Sequence, residues 1–279
     1  MPTRAHAGFP APLPQQALAA SGAREGGGMR VLGISGLQGS GKSTLAAQVV
    51  DAARASGLSA ASVSLDDFYL TADARRALAR DVHPLLATRG PPGTHDMELA
   101  LATIAALRAD GMPPLPRFDK LGDDRLPASA WTRPSRPLDL LVFEGWCLAT
   151  PAEADDALRD PLNALERDED QQGIWRRWCN AALARHYPPL WATADTLWFL
   201  QPPGFETVHG WRLQQEQALQ AAEPGRRGMD AAQLERFIQH YERISRQALR
   251  TLPGIADTIV ALDALRRPIA RHAGAHDAG

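Results

Sequence analysis

The chain has 279 residues, of which 44% are hydrophobic, and its formal net charge is −2 at pH 7. That length suits one large domain or two small ones, and the nearly balanced charge without a long basic run argues against a nucleic-acid or membrane-surface partner. No apolar run approaches the roughly 18 residues of a membrane span. Two widely spaced cysteines, Cys147 and Cys179, predict reduced thiols in a cytoplasmic protein.

The two ends of the chain differ from its middle. Residues 1–28 are rich in Ala, Pro and Gly and lack the apolar stretch of a secretory signal. We therefore expect a disordered leader there, or a functional start at Met29. Residues 266–279 are expected to form a polar tail, which leaves residues 29–265 as the folded body.

The body begins with a predicted strand that leads into a glycine-rich loop. RVLGIS (30–35) is a short apolar run, GLQGSGKS (36–43) has the spacing G-x-x-x-x-G-K-S, and apolar residues then recur at helical spacing up to Gly57. A strand, a glycine-rich loop and a helix in this order predict a phosphate-binding loop. Its glycines let backbone N–H groups surround phosphate oxygens at a helix N-terminus.

The residue types of this loop predict a site for ATP and Mg²⁺. Lys42 is expected to reach the β- and γ-phosphates, which makes it a catalytic residue, and the Ser43 hydroxyl is expected to bind Mg²⁺. The predicted ATP-binding residues of the loop are Gly36, Leu37, Gln38, Gly39, Ser40, Gly41, Lys42, Ser43 and Thr44.

Further along the chain, apolar runs predict four more buried strands, at residues 59–65, 138–145, 195–201 and 257–263. Helical periodicity predicts helices at residues 96–109, 173–186, 206–222 and 230–250. The first of these helices has Asp96 or Thr94 as its candidate N-cap. Near-continuous apolar strands separated by helices are typical of a parallel sheet covered on both faces. The predicted fold class is α/β, a P-loop NTPase with a mostly parallel sheet and helices on both faces.

Acidic residues follow two of these predicted strands. Asp66 and Asp67 come after the second strand, and one of them is expected to act as a general base facing the γ-phosphate, as in small-molecule kinases. Glu144 ends the strand LLVFEG, where a carboxylate is costly without a partner, so we expect it to reach Mg²⁺. The strand-poor stretch from 66 to 137 begins at a strand's carboxyl end and is the expected acceptor site.

Lysine occurs at only two positions. Lysine and arginine together number 30, and subtracting Lys42 and Lys120 leaves 28 arginines. Lys120 lies in PRFDKLGDDR (116–125), between carboxylates on both sides. Because any arginine could serve an exposed ion pair, we expect Lys120 to contact an anionic group of a substrate.

Several of these segments resemble a known group of enzymes. The phosphate loop, DDFY (66–69) and the FEG strand end resemble P-loop kinases related to phosphoribulokinase, uridine kinase and pantothenate kinase. Five further segments narrow the resemblance to the P-loop D-glycerate 3-kinases, and this resemblance covers roughly residues 29–263. The segments are RGPPGTHD, PRFDKLGDDR, VFEGWC, HGWRLQQE and RRGMD. Better-known members carry a longer insert with a serine between the FDK lysine and the GDR arginine, where this chain has only LGDD.

The resemblance implies ATP-dependent phosphorylation of the 3-hydroxyl of D-glycerate, with a small molecule as partner. It implies that Asp66 is the base, that Asp67 and Tyr69 line the acceptor pocket, and that Arg212 belongs to a lid at about 204–230. Glycerate is a small anion, so cations and donors of residues 89–125 are expected to bind it. These candidates are Arg89, His95, Lys120 and Arg125.

Lys120 is expected to be catalytic if it contacts the transferred phosphoryl group rather than the glycerate carboxylate. Two alternatives to a glycerate kinase stay open. One is a kinase of the same fold for a nucleoside, pantothenate or another sugar acid. The other is a P-loop NTPase that acts as a switch or assembly factor.

Overall fold

The computed structural model describes residues 8–222 and 229–275. Within these residues, six strands form the main sheet and two short strands form a separate hairpin. The strands of the sheet are β1 (Arg30–Gly36), β2 (Ala60–Ser64), β5 (Leu140–Gly145), β6 (Thr196–Gln201), β7 (Thr258–Leu262) and β8 (Pro268–Ala273). The hairpin consists of β3 (Phe118–Asp119) and β4 (Asp124–Arg125).

Nine α-helices lie in the described part of the chain. They are α1 (Pro12–Ser21), α2 (Lys42–Ala55), α3 (Ala72–Asp81), α4 (Met97–Arg108), α5 (Ala164–Glu169), α6 (Ile174–His186), α7 (Pro188–Trp191), α8 (Thr207–Ala222) and α9 (Ala231–Thr251). Short 3-10 helices occupy several connections, including Leu65–Phe68 directly after β2. Among the helices described, none combines the length and the apolar character that a membrane crossing requires.

The sheet has the strand order β2-β5-β1-β6-β7-β8. The first five strands in this order are parallel, and β8 pairs antiparallel with β7 at one edge. All five predicted strands are present, and the predicted mostly parallel α/β fold is confirmed. Because the strands are parallel, their carboxyl ends meet at one edge of the sheet, where β1, β2 and β5 end side by side.

Both faces of the sheet are covered by apolar residues. In β5, Leu141 and Phe143 pack in one core cluster and Leu140 and Val142 in the other, as the alternation of side chains along a strand requires. The first cluster includes residues of α4 and α9, and the second includes residues of α2. This two-sided burial explains why the strands read as continuous apolar runs in the sequence.

The four helices predicted after the phosphate-loop helix are observed as α4, α6, α8 and α9. Asp96 caps α4, because its side chain accepts a hydrogen bond from the N–H of Leu99 at 3.0 Å. Asp230 and Gln233 form a capping box at the start of α9. The lid predicted at 204–230 contains α8, while its residues 223–228 lie outside the described residues.

The leader prediction requires a correction. Residues 12–21 form α1 rather than a disordered segment, and Phe9, Leu13 and Ala17 are buried in the core cluster that contains α2. Gln48 of α2 also accepts a hydrogen bond from the Phe9 N–H and donates one to the Phe9 carbonyl, both at 2.9 Å. Leu13 and Ala17 are four residues apart and therefore lie on one face of α1. The many Ala and Pro residues around them hide this pattern in the composition.

The polar-tail prediction also requires a correction. Six residues of the predicted tail form β8, which extends the sheet beyond β7. Five of these residues are exposed, so β8 has no hydrophobic pattern that could indicate a strand. Its backbone pairing with β7 holds it in place.

Candidate active site

A cleft of about 590 Å³ opens at the carboxyl ends of β1, β2 and β5. The phosphate loop, the 3-10 helix after β2, the β3–β4 hairpin and helices α8 and α9 all contribute to its walls. Ten of the predicted site residues line it: Gln38, Gly39, Lys42, Ser43, Asp66, Tyr69, Arg89, Lys120, Glu144 and Arg212. The two lysines of the chain therefore share one cleft, although 77 positions separate them.

The phosphate loop has the backbone conformation that its glycines allow. Gly39 and Gly41 have φ values of +78° and +94°, in the left-handed region that other residues avoid. A Cβ on Gly39 would also lie 2.7 Å from the Cβ of Trp211, so glycine permits close contact with α8. The Lys42 ammonium donates to the Leu37 carbonyl at 3.1 Å. Burial lowers the pKa of Lys42, and the charges of Glu144 and Asp66 oppose this effect.

Five of the predicted loop residues do not line the described cleft. They are Gly36, Leu37, Ser40, Gly41 and Thr44. A Cβ on Gly36 would approach Ser40 Oγ to 2.8 Å, so this glycine permits the tight return of the loop.

Ser43 and Glu144 meet beside the loop. The Ser43 hydroxyl donates to a Glu144 carboxylate oxygen at 2.7 Å, and Glu144 is only 6% exposed. Two oxygen groups in contact at the rim of a phosphate site suit a hard cation. No cluster of three or more His, Cys, Asp or Glu residues suited to a metal occurs in the described part of the chain. A Mg²⁺ site of this kind needs none, because phosphates and water complete the coordination.

Asp66 is held by two donors at the end of β2. Lys120 Nζ lies 2.7 Å from its Oδ2, and the Tyr69 hydroxyl donates to its Oδ1 at 2.9 Å. Burial alone would raise the pKa of Asp66. The charge of Lys120 and the hydrogen bonds from Lys120 and Tyr69 outweigh it and lower that pKa well below its usual range. Asp66 is therefore an ionised carboxylate in the cleft.

Asp67 has a different role. Its carboxylate accepts hydrogen bonds from the backbone N–H of Ser64 at 3.0 Å and from the guanidinium of Arg117 at 2.9 Å. It completes the capping box of the turn after β2, in which Ser64 Oγ accepts from the Asp66 N–H. The structure therefore does not bring Asp67 into the cleft, because the turn that aims Asp66 inward uses Asp67 to satisfy its own backbone.

The predicted acceptor cations lie in two places. Arg89 lines the cleft, forms an ion pair with Asp123 and donates to the Lys120 carbonyl at 3.0 Å. Arg125 does not line the described cleft. Its guanidinium donates hydrogen bonds to the Tyr69 carbonyl and to the Asp96 carboxylate, the latter at 3.0 Å. Arg125 thus holds the backbone behind Tyr69.

His95 also supports the wall from behind. It is 4% exposed, its ring stacks on Tyr69 with centroids 4.6 Å apart, and its Nδ1 lies 2.7 Å from the Tyr187 hydroxyl. Burial lowers the pKa of His95 to about 4, so the ring is neutral at pH 7. A neutral, enclosed imidazole positions Tyr69 rather than binding an anion.

Three aromatic residues that no sequence motif indicated close the cleft on its apolar side. Trp146, Phe237 and Tyr241 line it, and the rings of Trp146 and Tyr241 pack at 4.9 Å. The Trp146 indole N–H is buried and has no hydrogen-bond partner among the described residues. Two signals were available: Trp146 follows Glu144 by two positions, and Phe237 and Tyr241 are one helical turn apart.

The fold and this cleft together are those of a P-loop kinase. The Ser43–Glu144 pair lies beside the phosphate loop, and the ionised Asp66 follows β2, the strand that pairs with β5.

Comparison with known proteins agrees with this class. The chain is 33% identical to an uncharacterized kinase of Schizosaccharomyces pombe over 220 residues, 76% of this chain and 78% of that protein. It is 30% identical over 237 residues to the chloroplastic D-glycerate 3-kinase of Arabidopsis thaliana, which is 80% of this chain but only 48% of the plant protein. A solved structure of D-glycerate 3-kinase from Cryptococcus neoformans superposes with a TM-score of 0.74 at 28% identity, covering 94% of this chain and 97% of that one. No family model matches the chain. The chain belongs to the family of ATP-dependent P-loop kinases that contains these relatives.

Proposed function

We propose that this kinase phosphorylates the 3-hydroxyl of D-glycerate with ATP and forms 3-phosphoglycerate and ADP. The observation that carries the proposal is the Asp66–Lys120 pair, in which a carboxylate suited to act as a base and a cation lie together beside the phosphate loop. The names of the Arabidopsis and Cryptococcus relatives support D-glycerate as the acceptor.

The phosphate end of the reaction uses the loop and its neighbours. Lys42 binds the β- and γ-phosphates, and Ser43 and Glu144 would hold Mg²⁺. The ion, when bound, would offset negative charge on the phosphates. Arg212, whose Nε is buried without a described hydrogen-bond partner, supplies a further cation from α8.

The acceptor end uses Asp66 as the general base. Asp66 takes the proton of the 3-hydroxyl while the oxygen forms a bond to the γ-phosphorus and the bond to the β-phosphate oxygen breaks. The proton resides on Asp66, and ADP carries away the electron pair of the broken bond. Lys120 lowers the pKa of Asp66. When Lys120 moves from Asp66 to the phosphoryl group, this pKa rises and Asp66 becomes a stronger base.

The acceptor carboxylate requires a cation other than Lys120. Arg89 is the cation of the 89–125 stretch that remains in the cleft, and its planar guanidinium suits a carboxylate. The Trp146 indole N–H, which has no hydrogen-bond partner among the described residues, is a further donor for the same small anion. We place the reaction in the cytoplasm, which the two free, buried cysteines support.

A coupled assay of ADP release over a panel of acceptors tests this proposal. D-Glycerate should stimulate ADP release far above the acceptor-free rate, and L-glycerate, pantothenate and uridine should not. If only one of the other three compounds stimulated ADP release, that compound and not D-glycerate would be the acceptor. ADP release that no acceptor stimulates would favour an NTPase.

A further inference from the structure

The turn between β7 and β8 carries Arg266 into the protein. Asp263 and Arg267 close the turn, since the Asp263 N–H donates to the Arg267 carbonyl at 2.9 Å and the Arg266 N–H donates to the Asp263 carbonyl at 2.9 Å. Arg266 adopts a φ of +64°, an uncommon conformation for a residue with a side chain. The residue is nevertheless buried, with only 9% of its surface exposed.

The Arg266 guanidinium joins the phosphate loop to α8. Its Nε donates to the Gly39 carbonyl at 2.5 Å, and one terminal nitrogen donates to Gln214 Oε1 at 2.8 Å. The guanidinium carbon lies 5.1 Å from the Trp211 ring centroid, and the Trp211 indole donates back to the Ala264 carbonyl. Three segments distant in sequence therefore meet at one side chain.

The charge of Arg266 has no carboxylate partner among the described residues. Its acceptors are carbonyl and amide oxygens, all of them neutral. Burial lowers the pKa of Arg266, yet a guanidinium remains protonated at neutral pH. A buried charge is costly unless it is compensated, and the polyphosphate of a nucleotide is the anion that the adjoining loop binds.

We infer that Arg266 is a positioning residue for nucleoside polyphosphates: it fixes the phosphate loop against α8 and places a positive charge directly behind that loop. The inference rests on the proposed nucleotide site but not on the identity of the acceptor. Arg212 follows Trp211 in α8 and lines the cleft. The contact between Arg266 and Trp211 therefore also determines the position of the Arg212 cation.

Calorimetric titration with ADP and with adenosine, each in the presence of Mg²⁺, tests the inference. Arg266→Gln should weaken ADP binding about tenfold or more, since a charged group with several hydrogen bonds is lost. Adenosine lacks phosphates, so its affinity should change less than about threefold by the same reasoning. Arg271→Gln removes an equal charge from the exposed strand β8 and should bind both ligands like the wild type.

Arg266→Lys serves as the second variant, because it keeps the positive charge and loses the planar guanidinium with its several N–H donors. It should fold even where Arg266→Gln does not, and it should bind ADP with an intermediate affinity while binding adenosine normally. Equal losses for ADP and adenosine in the folded variant, or ADP affinity equal to that of Arg271→Gln, would overturn the inference. Wild-type protein that binds ADP but does not phosphorylate D-glycerate would leave this inference standing and refute only the acceptor, whereas wild type without ADP binding refutes both.

Discussion

Replacing Lys120 with methionine directly tests the proposed catalytic pair of Asp66 and Lys120. The change keeps most of the side-chain length and removes the ammonium that lies 2.7 Å from Asp66. The charge of Asp66 raises the pKa of Lys120, burial opposes this, and Glu144 adds to the increase. Lys120 is therefore a charged group within the field of both the base and the proposed metal ligand, which favours contact with the transferred phosphoryl group.

The expected loss lies in kcat. Removing a preorganised donor to a developing charge costs about 2.7–4 kcal/mol, so kcat should fall about 10²- to 10³-fold. The KM for D-glycerate should change less than about threefold. If Lys120 instead bound only the glycerate carboxylate, a charged hydrogen bond of about 1.5–3 kcal/mol would be lost. KM would then rise roughly 10- to 100-fold while kcat stayed constant.

The pH dependence of the variant gives a second readout. Without Lys120, burial raises the pKa of Asp66, so the acidic limb of the kcat/KM profile should move to higher pH. Steady-state kinetics from pH 5 to 9 would measure this shift, with exposed Arg133→Gln as a control that removes a surface charge from the same region. Should Lys120→Met retain both constants within threefold and keep the wild-type profile, the catalytic role of Lys120 is refuted.

Four further predictions concern single positions. Lys42→Ala should leave a folded protein with activity near background, and more than about a tenth of wild-type kcat would contradict the assigned phosphate position. Asp66→Asn should lower kcat about 10²- to 10⁴-fold with little change in the KM for ATP, and a larger kcat loss in Asp67→Asn would reverse the assignment. Leu13→Ala should lower the free energy of unfolding in urea by about 2 kcal/mol or more, because α1 packs on α2, and an unchanged midpoint would mean that α1 is detached. Stability should decline as pH falls from 6.5 towards 5, because the folded-state pKa of His95 is about 4 and only the unfolded chain gains that proton. Constant urea stability over this range would contradict a neutral, buried ring.

The sheet and the phosphate site were predictable because local patterns determine them. Continuous apolar runs such as those of β1 and β5 indicate strands buried on both faces, and the glycine spacing of the loop requires no tertiary information. Helix α1 was missed because its buried apolar side chains, such as Leu13 and Ala17, stand among Ala, Pro and Gln, which carry little periodic signal. Strand β8 was missed because an exposed edge strand has no buried face to show in the sequence.

The roles of adjacent site residues depended on geometry that the sequence does not contain. Asp66 and Asp67 are chemically identical, and only the capping box of their turn sends one into the cleft and the other to the backbone. Arg125 and His95 belong to segments that reach the site, but their side chains hold Tyr69 from behind. Arg266 joined the phosphate loop through a turn 227 residues away, a contact that no local pattern indicates.

The most direct test of the account is identification of the phosphorylated product by ³¹P NMR after incubation with ATP, Mg²⁺ and D-glycerate. We predict 3-phosphoglycerate and ADP in equal amounts, with product formation at least about a hundredfold slower in Asp66→Asn. Formation of 2-phosphoglycerate, or of inorganic phosphate with no glycerate product, would contradict the assignment of Asp66 as the base for the 3-hydroxyl.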